Sequence, residues 1–355
     1  MRKFTGLFHR FRLAFALALV IAATSLIWLQ NASAGNEVNV YSYRQPYLVD
    51  PLFEAFTKKS GIKVNVIFAK TGLIERMAAE GRNSPADVLL TVDIGRLTSV
   101  VKKGVSQAVT SSALNGNIPE NYRDPAGHWF GLSRRARVVY ASKDRVQQNA
   151  ITYEELADPK WKGRICIRSG QHVYNIALIA SMIAHHGEAA AKQWLQGVKT
   201  NLAGKPAGND RAQVKRVFSG ECDLAVGNTY YMAKMALNDK QPEQKQWAAA
   251  VKMLFPNTGD RGTHVNVSGM VLAKHAPNQA NAVQLMEFLS GADAQSIYAT
   301  TNHEYPVAEE VALSEMVESW GVLKADPISL STISELRDKA SRLVDEVLFN
   351  DGPTS

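Results

Sequence analysis

Short apolar runs alternate with stretches of helical spacing from residue 38 onward. Val38-Asn39-Val40-Tyr41 alternates apolar and polar positions and predicts a strand. Asp50-Pro51 reads as a helix start, with Asp as the cap and Pro at the first helical position. Leu52, Phe53 and Phe56 would be the buried face of that helix. Val64-Asn65-Val66-Ile67-Phe68 predicts the next strand. Leu73, Ile74 and Met77 have helical spacing, Asp87-Val88-Leu89-Leu90 is a buried-type strand, and Ile94 to Val101 returns to helix. This β-α-β-α-β order predicts an α/β fold with a mainly parallel sheet flanked by helices.

The pattern restarts after Trp129. Val138-Val139-Tyr140, Ile165-Cys166-Ile167 and Leu224-Ala225-Val226 predict strands, and Val267 to Ala273 predicts another. Helices are expected over Tyr174 to Ile183, Glu188 to Leu195, Asp210 to Phe218, Asn278 to Leu289 and Ile333 to Val347. No repeat, low-complexity tract or long Pro/Gly linker interrupts the order. Two lobes without a flexible linker imply strands that cross between them. Ligands of such folds bind at the carboxyl ends of strands, in the crevice between lobes. The residues just after strands are therefore the candidates.

The first 34 residues have a different pattern. Arg2, Lys3, Arg10 and Arg12 form a basic start, Leu13 to Leu29 is almost wholly apolar, and Ala32-Ser33-Ala34 is a small-residue cleavage site. That is the order of a secretory signal peptide, with cleavage expected after Ala34. An uncleaved membrane anchor is the alternative. No cysteine near the cleavage point suggests a lipid anchor, and no later run approaches the roughly 20 apolar residues of a membrane span. Cleavage would leave 321 of 355 residues and lower the net charge from +7 to +3, since four basic and no acidic residues go with the leader. No Lys/Arg stripe is interleaved with aromatics, so no nucleic-acid partner is expected. The remaining length exceeds what one core serves, so two lobes are expected. The two cysteines, Cys166 and Cys222, would most simply form one disulfide in an oxidising compartment; two buried thiols are the alternative.

The candidate chemistry lies after two of the predicted strands. In Cys222-Asp-Leu-Ala-Val-Gly-Asn-Thr-Tyr-Tyr-Met232 the strand would end at Val226. Gly227-Asn228 would turn the chain, and Tyr230-Tyr231 would open a helix. Arg168-Ser-Gly-Gln-His-Val-Tyr174-Asn175 likewise follows a strand and leads into a helix. Three phenols can thus converge on one side of a cleft. Phenolate is a hard anionic donor suited to Fe3+, unlike the imidazole and thiolate that Zn2+ or Cu+ prefer. Taken alone, Tyr230-Tyr231 reads better as amphipathic packing at a helix start. His185-His186 and His303-Glu304 match no metal motif. Gly204-Lys205 lacks phosphate-loop spacing, and no catalytic set can be assembled.

Several stretches resemble bacterial periplasmic ferric-iron-binding proteins, the substrate-binding subunits of iron(III) ABC transporters. They are Val40-Tyr-Ser-Tyr-Arg-Gln-Pro-Tyr47, Ser84-Pro-Ala-Asp-Val-Leu-Leu-Thr-Val-Asp93, Trp129-Phe-Gly-Leu-Ser-Arg-Arg-Ala-Arg137, Cys166-Ile-Arg-Ser-Gly170, Gly227-Asn-Thr-Tyr-Tyr231 and His303-Glu-Tyr-Pro306. They follow one another in order along nearly the whole exported chain.

The resemblance implies a class II, two-lobed periplasmic fold, with residues 35–136 plus 262–308 as the N-terminal lobe and 137–261 plus 309–355 as the C-terminal lobe. It implies Fe3+ on Tyr174, Tyr230 and Tyr231. Some relatives carry a His-Tyr pair where this chain has Gln45-Pro46-Tyr47 and no His, so Tyr47 is either a further ligand or only a residue lining the cleft. It also implies a carbonate or bicarbonate companion anion on Arg135, with Arg137 and Arg44 as lesser candidates, and Asn228 orienting a phenol from behind. A monomer serving an inner-membrane ABC permease is expected. The competing readings are a same-fold binder of an anion or polyamine, and a periplasmic enzyme on this fold.

Overall fold

The computed structural model of the protein describes residues 35–308 and 311–353. The expected leader, with its cleavage point after Ala34, lies outside the described residues. Ten strands occur among them: β1 (Glu37–Ser42), β2 (Lys63–Phe68), β3 (Val88–Thr91), β4 (Ser106–Gln107), β5 (Phe130–Ser142), β6 (Ile165–Cys166), β7 (Leu224–Asn228), β8 (Val251–Leu254), β9 (Val265–Ala273) and β10 (Tyr305–Pro306). The main path runs β2-β1-β3-β9-β5-β7-β6, with β4 on β9 and both β8 and β10 on β5.

The α/β character holds, but strand direction is more mixed than the expectation of mainly parallel sheets. β1 is parallel to β2 and β3, and β6 is parallel to β7. β5 and β9 run antiparallel to their neighbours. The reason is the 13-residue β5. From Phe130 to Ala136 it pairs with β9, and from Arg137 onward it pairs with β7 and β8. One uninterrupted strand thus serves both halves of the sheet, and it enters each against the direction set by the βαβ units.

Seven helices frame the cleft or its supports: α1 (Pro46–Ser60), α2 (Ile94–Lys102), α3 (Val173–His186), α4 (Asp210–Phe218), α5 (Tyr230–Ala236), α6 (Leu330–Glu335) and α7 (Arg337–Glu346). The first begins earlier than Asp50-Pro51 suggests. Pro46 takes the first helical position, where its missing N–H costs nothing. Pro51 then falls inside α1 and offers no hydrogen bond to the Tyr47 carbonyl in the first turn. Tyr47 therefore belongs to a helix start. The helix expected over Ile333–Val347 is two, α6 and α7. Ser334 on α6 donates to Thr98 on α2 at 2.6 Å, and Arg337 on α7 donates to the Val173 carbonyl at 3.2 Å, so the last helices touch both halves.

Candidate metal-binding site

β6 and β7 lie side by side, and each delivers the chain to a helix bearing a candidate phenol. A disulfide joins Cys166 at the end of β6 to Cys222 just ahead of β7, with both cysteines buried. The expected turn at Gly227-Asn228 is absent. Both residues belong to β7, opposite Val138 and Arg137. Gly227 is needed for space: a Cβ there would stand 2.2 Å from the Tyr140 ring. The Tyr140 hydroxyl donates to the Asn228 carbonyl across that gap. The strand then passes through Thr229 directly into α5, with Tyr230 at its first position.

The three tyrosines meet. Tyr174 Oη and Tyr230 Oη are 3.3 Å apart, and the rings of Tyr230 and Tyr231 lie 4.3 Å apart at 32°. All three line one cavity of about 450 Å³. Tyr174 sits in the first turn of the 14-residue α3, where the helix dipole favours negative charge. His172 caps that helix by accepting from the Tyr174 backbone N–H. Burial, with Arg168 and Arg137 nearby, pulls the His172 imidazole down to about 3, so it is neutral. Burial pushes the Tyr230 phenol well above the ordinary value, and Tyr174 and Tyr231 add to the shift. Burial raises Tyr231 too, with Tyr174 and Asp210 adding to the shift. Without a cation these phenols keep their protons.

Cations surround them. Arg135 is buried and lines the cavity, and its Nε and Nη1 have no partner. Such orphaned donors suit an anion. Arg137 does not share that role. Although alternation puts it on the face of Arg135, β5 has by then passed to the other half of the sheet. Its guanidinium donates to Asp210 at 2.7 Å, to Asn175 at 2.7 Å and to Asn228 at 3.1 Å, and it lies off the cavity lining. Arg44 does reach the cavity but is paired with buried Glu304, at 3.0 and 3.3 Å. Asn228 contacts Arg137 rather than a cluster phenol, so it orients a guanidinium. Tyr47 stands 54% exposed and accepts from Lys234 at 3.2 Å.

Sequence reasoning missed several cavity residues. Arg168, Arg211, Lys234 and Glu304 all line it. Arg168 donates to Asp210 at 3.0 Å, and its guanidinium lies 5.4 Å from the Tyr174 ring. Burial pulls the Lys234 ammonium down to about 8; Glu304 opposes the shift, and Arg44 and Arg211 add to it. Burial would raise the Glu304 carboxyl, yet Arg44 and Arg135 hold it below the usual range. Arg168 was findable, since it opens one of the tyrosine-bearing segments, and Lys234 lies two residues beyond the other. Nothing in the sequence brings Glu304 to residue 44.

Among the described residues no group of three or more His, Cys, Asp or Glu forms a metal-binding cluster. A two-lobed sheet with a polar cleft at strand ends defines a solute-binding protein. The chain belongs to the bacterial extracellular solute-binding protein family, whose sequence profile matches residues 83–324. It is 46% identical over 312 residues to iron uptake protein A1 of Synechocystis, covering 87% of this chain and 86% of that one. It is similar to the ferric iron-binding protein A of Mannheimia haemolytica in an open conformation, with a TM-score of 0.85, 51% identity and coverage of 89% and 100%. The Trichodesmium IdiA (FutA) complex with iron and citrate gives a TM-score of 0.84 and 44% identity, covering 88% of this chain and 99% of that one.

Proposed function

We propose that this protein captures ferric iron in the periplasm on Tyr174, Tyr230 and Tyr231 and hands it to an inner-membrane ABC permease. The observation that carries the reading is the convergence of three phenols beside an arginine with two unpartnered buried nitrogens. The relatives named for iron uptake and ferric iron binding support it.

The chemistry follows from charge. Three phenolates balance Fe3+ but fill about half of an octahedron. A small anion of the carbonate or bicarbonate type, held by Arg135, and water supply the remaining oxygens. The Trichodesmium relative with iron and citrate is consistent with an oxygen-donor anion beside the metal. A polyamine is disfavoured, because Arg135, Arg168, Arg211 and Lys234 line the cavity while its carboxylate, Glu304, is engaged by Arg44. The family is one of solute binding.

The lobe division follows the same reading. Residues 35–136 plus 262–308 form the lobe bearing Arg135 and Tyr47, and 137–261 plus 309–355 form the lobe bearing the tyrosines. They hinge where β5 changes partners. Phenolate bound to Fe3+ gives a visible charge-transfer colour. Ferric loading with bicarbonate should colour the protein, and zinc loading should not. A colourless protein after ferric loading with bicarbonate rejects the proposal.

A further inference from the structure

Lys234 has a position that iron chemistry does not require. It lies four residues after Tyr230 and three after Tyr231, so α5 brings it to the same face as the cluster. Its ammonium stands 4.7 Å from the Tyr230 ring and 5.2 Å from the Tyr47 ring. It donates to Tyr47 Oη at 3.2 Å, across 187 residues of chain. Among the described residues it makes no ion pair with a carboxylate. Glu304, on the same cavity, is occupied by Arg44 and by the Ser133 hydroxyl.

We propose that Lys234 is the latch of the cleft: carried by the tyrosine helix, it grips Tyr47 on α1 and so couples closure to the metal site. Tyr47 is then the catch for Lys234 and not an iron ligand. The inference rests on the ferric reading for its cargo. Two features favour a latch over a surface accident. The ammonium packs 4.7 Å from the Tyr230 ring while it donates to the Tyr47 hydroxyl, so one cation touches two distant segments. Closing the contact also immobilises a flexible four-carbon stem, so it persists only where both walls are held at the right separation. Tyr47 is in turn positioned by Pro46, which fixes the start of α1 beside the cleft.

The test is iron release to a competing chelator from the intact protein. It compares the wild type with Lys234→Met, Tyr47→Phe, the double variant and Lys234→Arg. Losing one charge-assisted hydrogen bond should speed release roughly tenfold in each single variant. The double variant should be no faster than either, Lys234→Arg should restore slow release, and the visible band should keep its position throughout. Additive effects, unchanged release, or a band shifted by Tyr47→Phe would overturn the latch. Solution scattering of the metal-free protein supplies an independent readout. Lys234→Met and Tyr47→Phe should each enlarge the radius of gyration, and an unchanged radius in both counts against the latch. Should the wild type take up no iron, the ferric reading fails and the scattering comparison alone decides the latch.

Discussion

Tyr230 and Tyr231 are neighbours in sequence whose rings stay 4.3 Å apart, because a helix begins where a strand ends. In mid-strand they would point to opposite faces. Replacing Tyr174, Tyr230 or Tyr231 with Phe keeps the ring and removes only the oxygen. Each change should lower ferric affinity by more than the roughly 10- to 100-fold that loss of a supporting hydrogen bond costs a metal site. Thermal unfolding should be nearly unchanged, and chelator competition measures the affinity loss. The raised phenols also fix the sign of the pH dependence. Tyr230 and Tyr231 are protonated when free, so iron must displace their protons, and binding tightens as pH rises. A pH-stat titration should count at least about two protons released per iron, from Tyr230 and Tyr231. Release of none would mean that the phenols are not the ligands.

Position after a strand made the tyrosines candidates, and the family resemblance made them the preferred ligands. Their supports were not legible in the sequence. Arg135 and Arg137 share a face by alternation, and only the change of sheet partners at Ala136 separates an anion-ready guanidinium from one bound to Asp210. Glu304 and Arg44 meet across 260 residues, which no local pattern records.

Asp210 joins the elements behind the cluster. It opens α4, accepts from Arg137 on β5 and Arg168 after β6, and accepts from the Asn228 backbone at the end of β7. Burial would raise its carboxyl, but the two guanidiniums prevail and hold it below the usual range. Asp210→Ala leaves Arg137 buried and unpaired, which should cost about 3–5 kcal/mol. Denaturant unfolding measures it; a change within experimental error would show that the network carries no stability. The folded carboxyl titrates below its unfolded value of about 3.9. Its contribution is therefore complete above that pH and is lost as pH falls through the lower folded value. Most elements were predictable from apolar periodicity. The exceptions have local causes: Pro46 starts α1 four residues before Asp50, and Gly227 gives room to Tyr140 where a turn was expected.

At the scale of the molecule, one long strand and the contacts of α6 and α7 join halves that a cleft separates. Two lobes follow from length and element order, but the antiparallel run of β5 does not. Of the 13-residue span only Val138-Val139-Tyr140 was read as a strand, and its crossing is a tertiary fact. The cleft places phenols on one wall, and an orphaned arginine on β5 beside the point where the strand changes partners. The most direct test of the central claim is a crystal structure of the iron-loaded protein grown with bicarbonate. The account predicts iron bonded to the hydroxyl oxygens of Tyr174, Tyr230 and Tyr231, with an anion between the metal and Arg135. Iron held by other side chains, or a cluster left uncoordinated in the loaded protein, would contradict it.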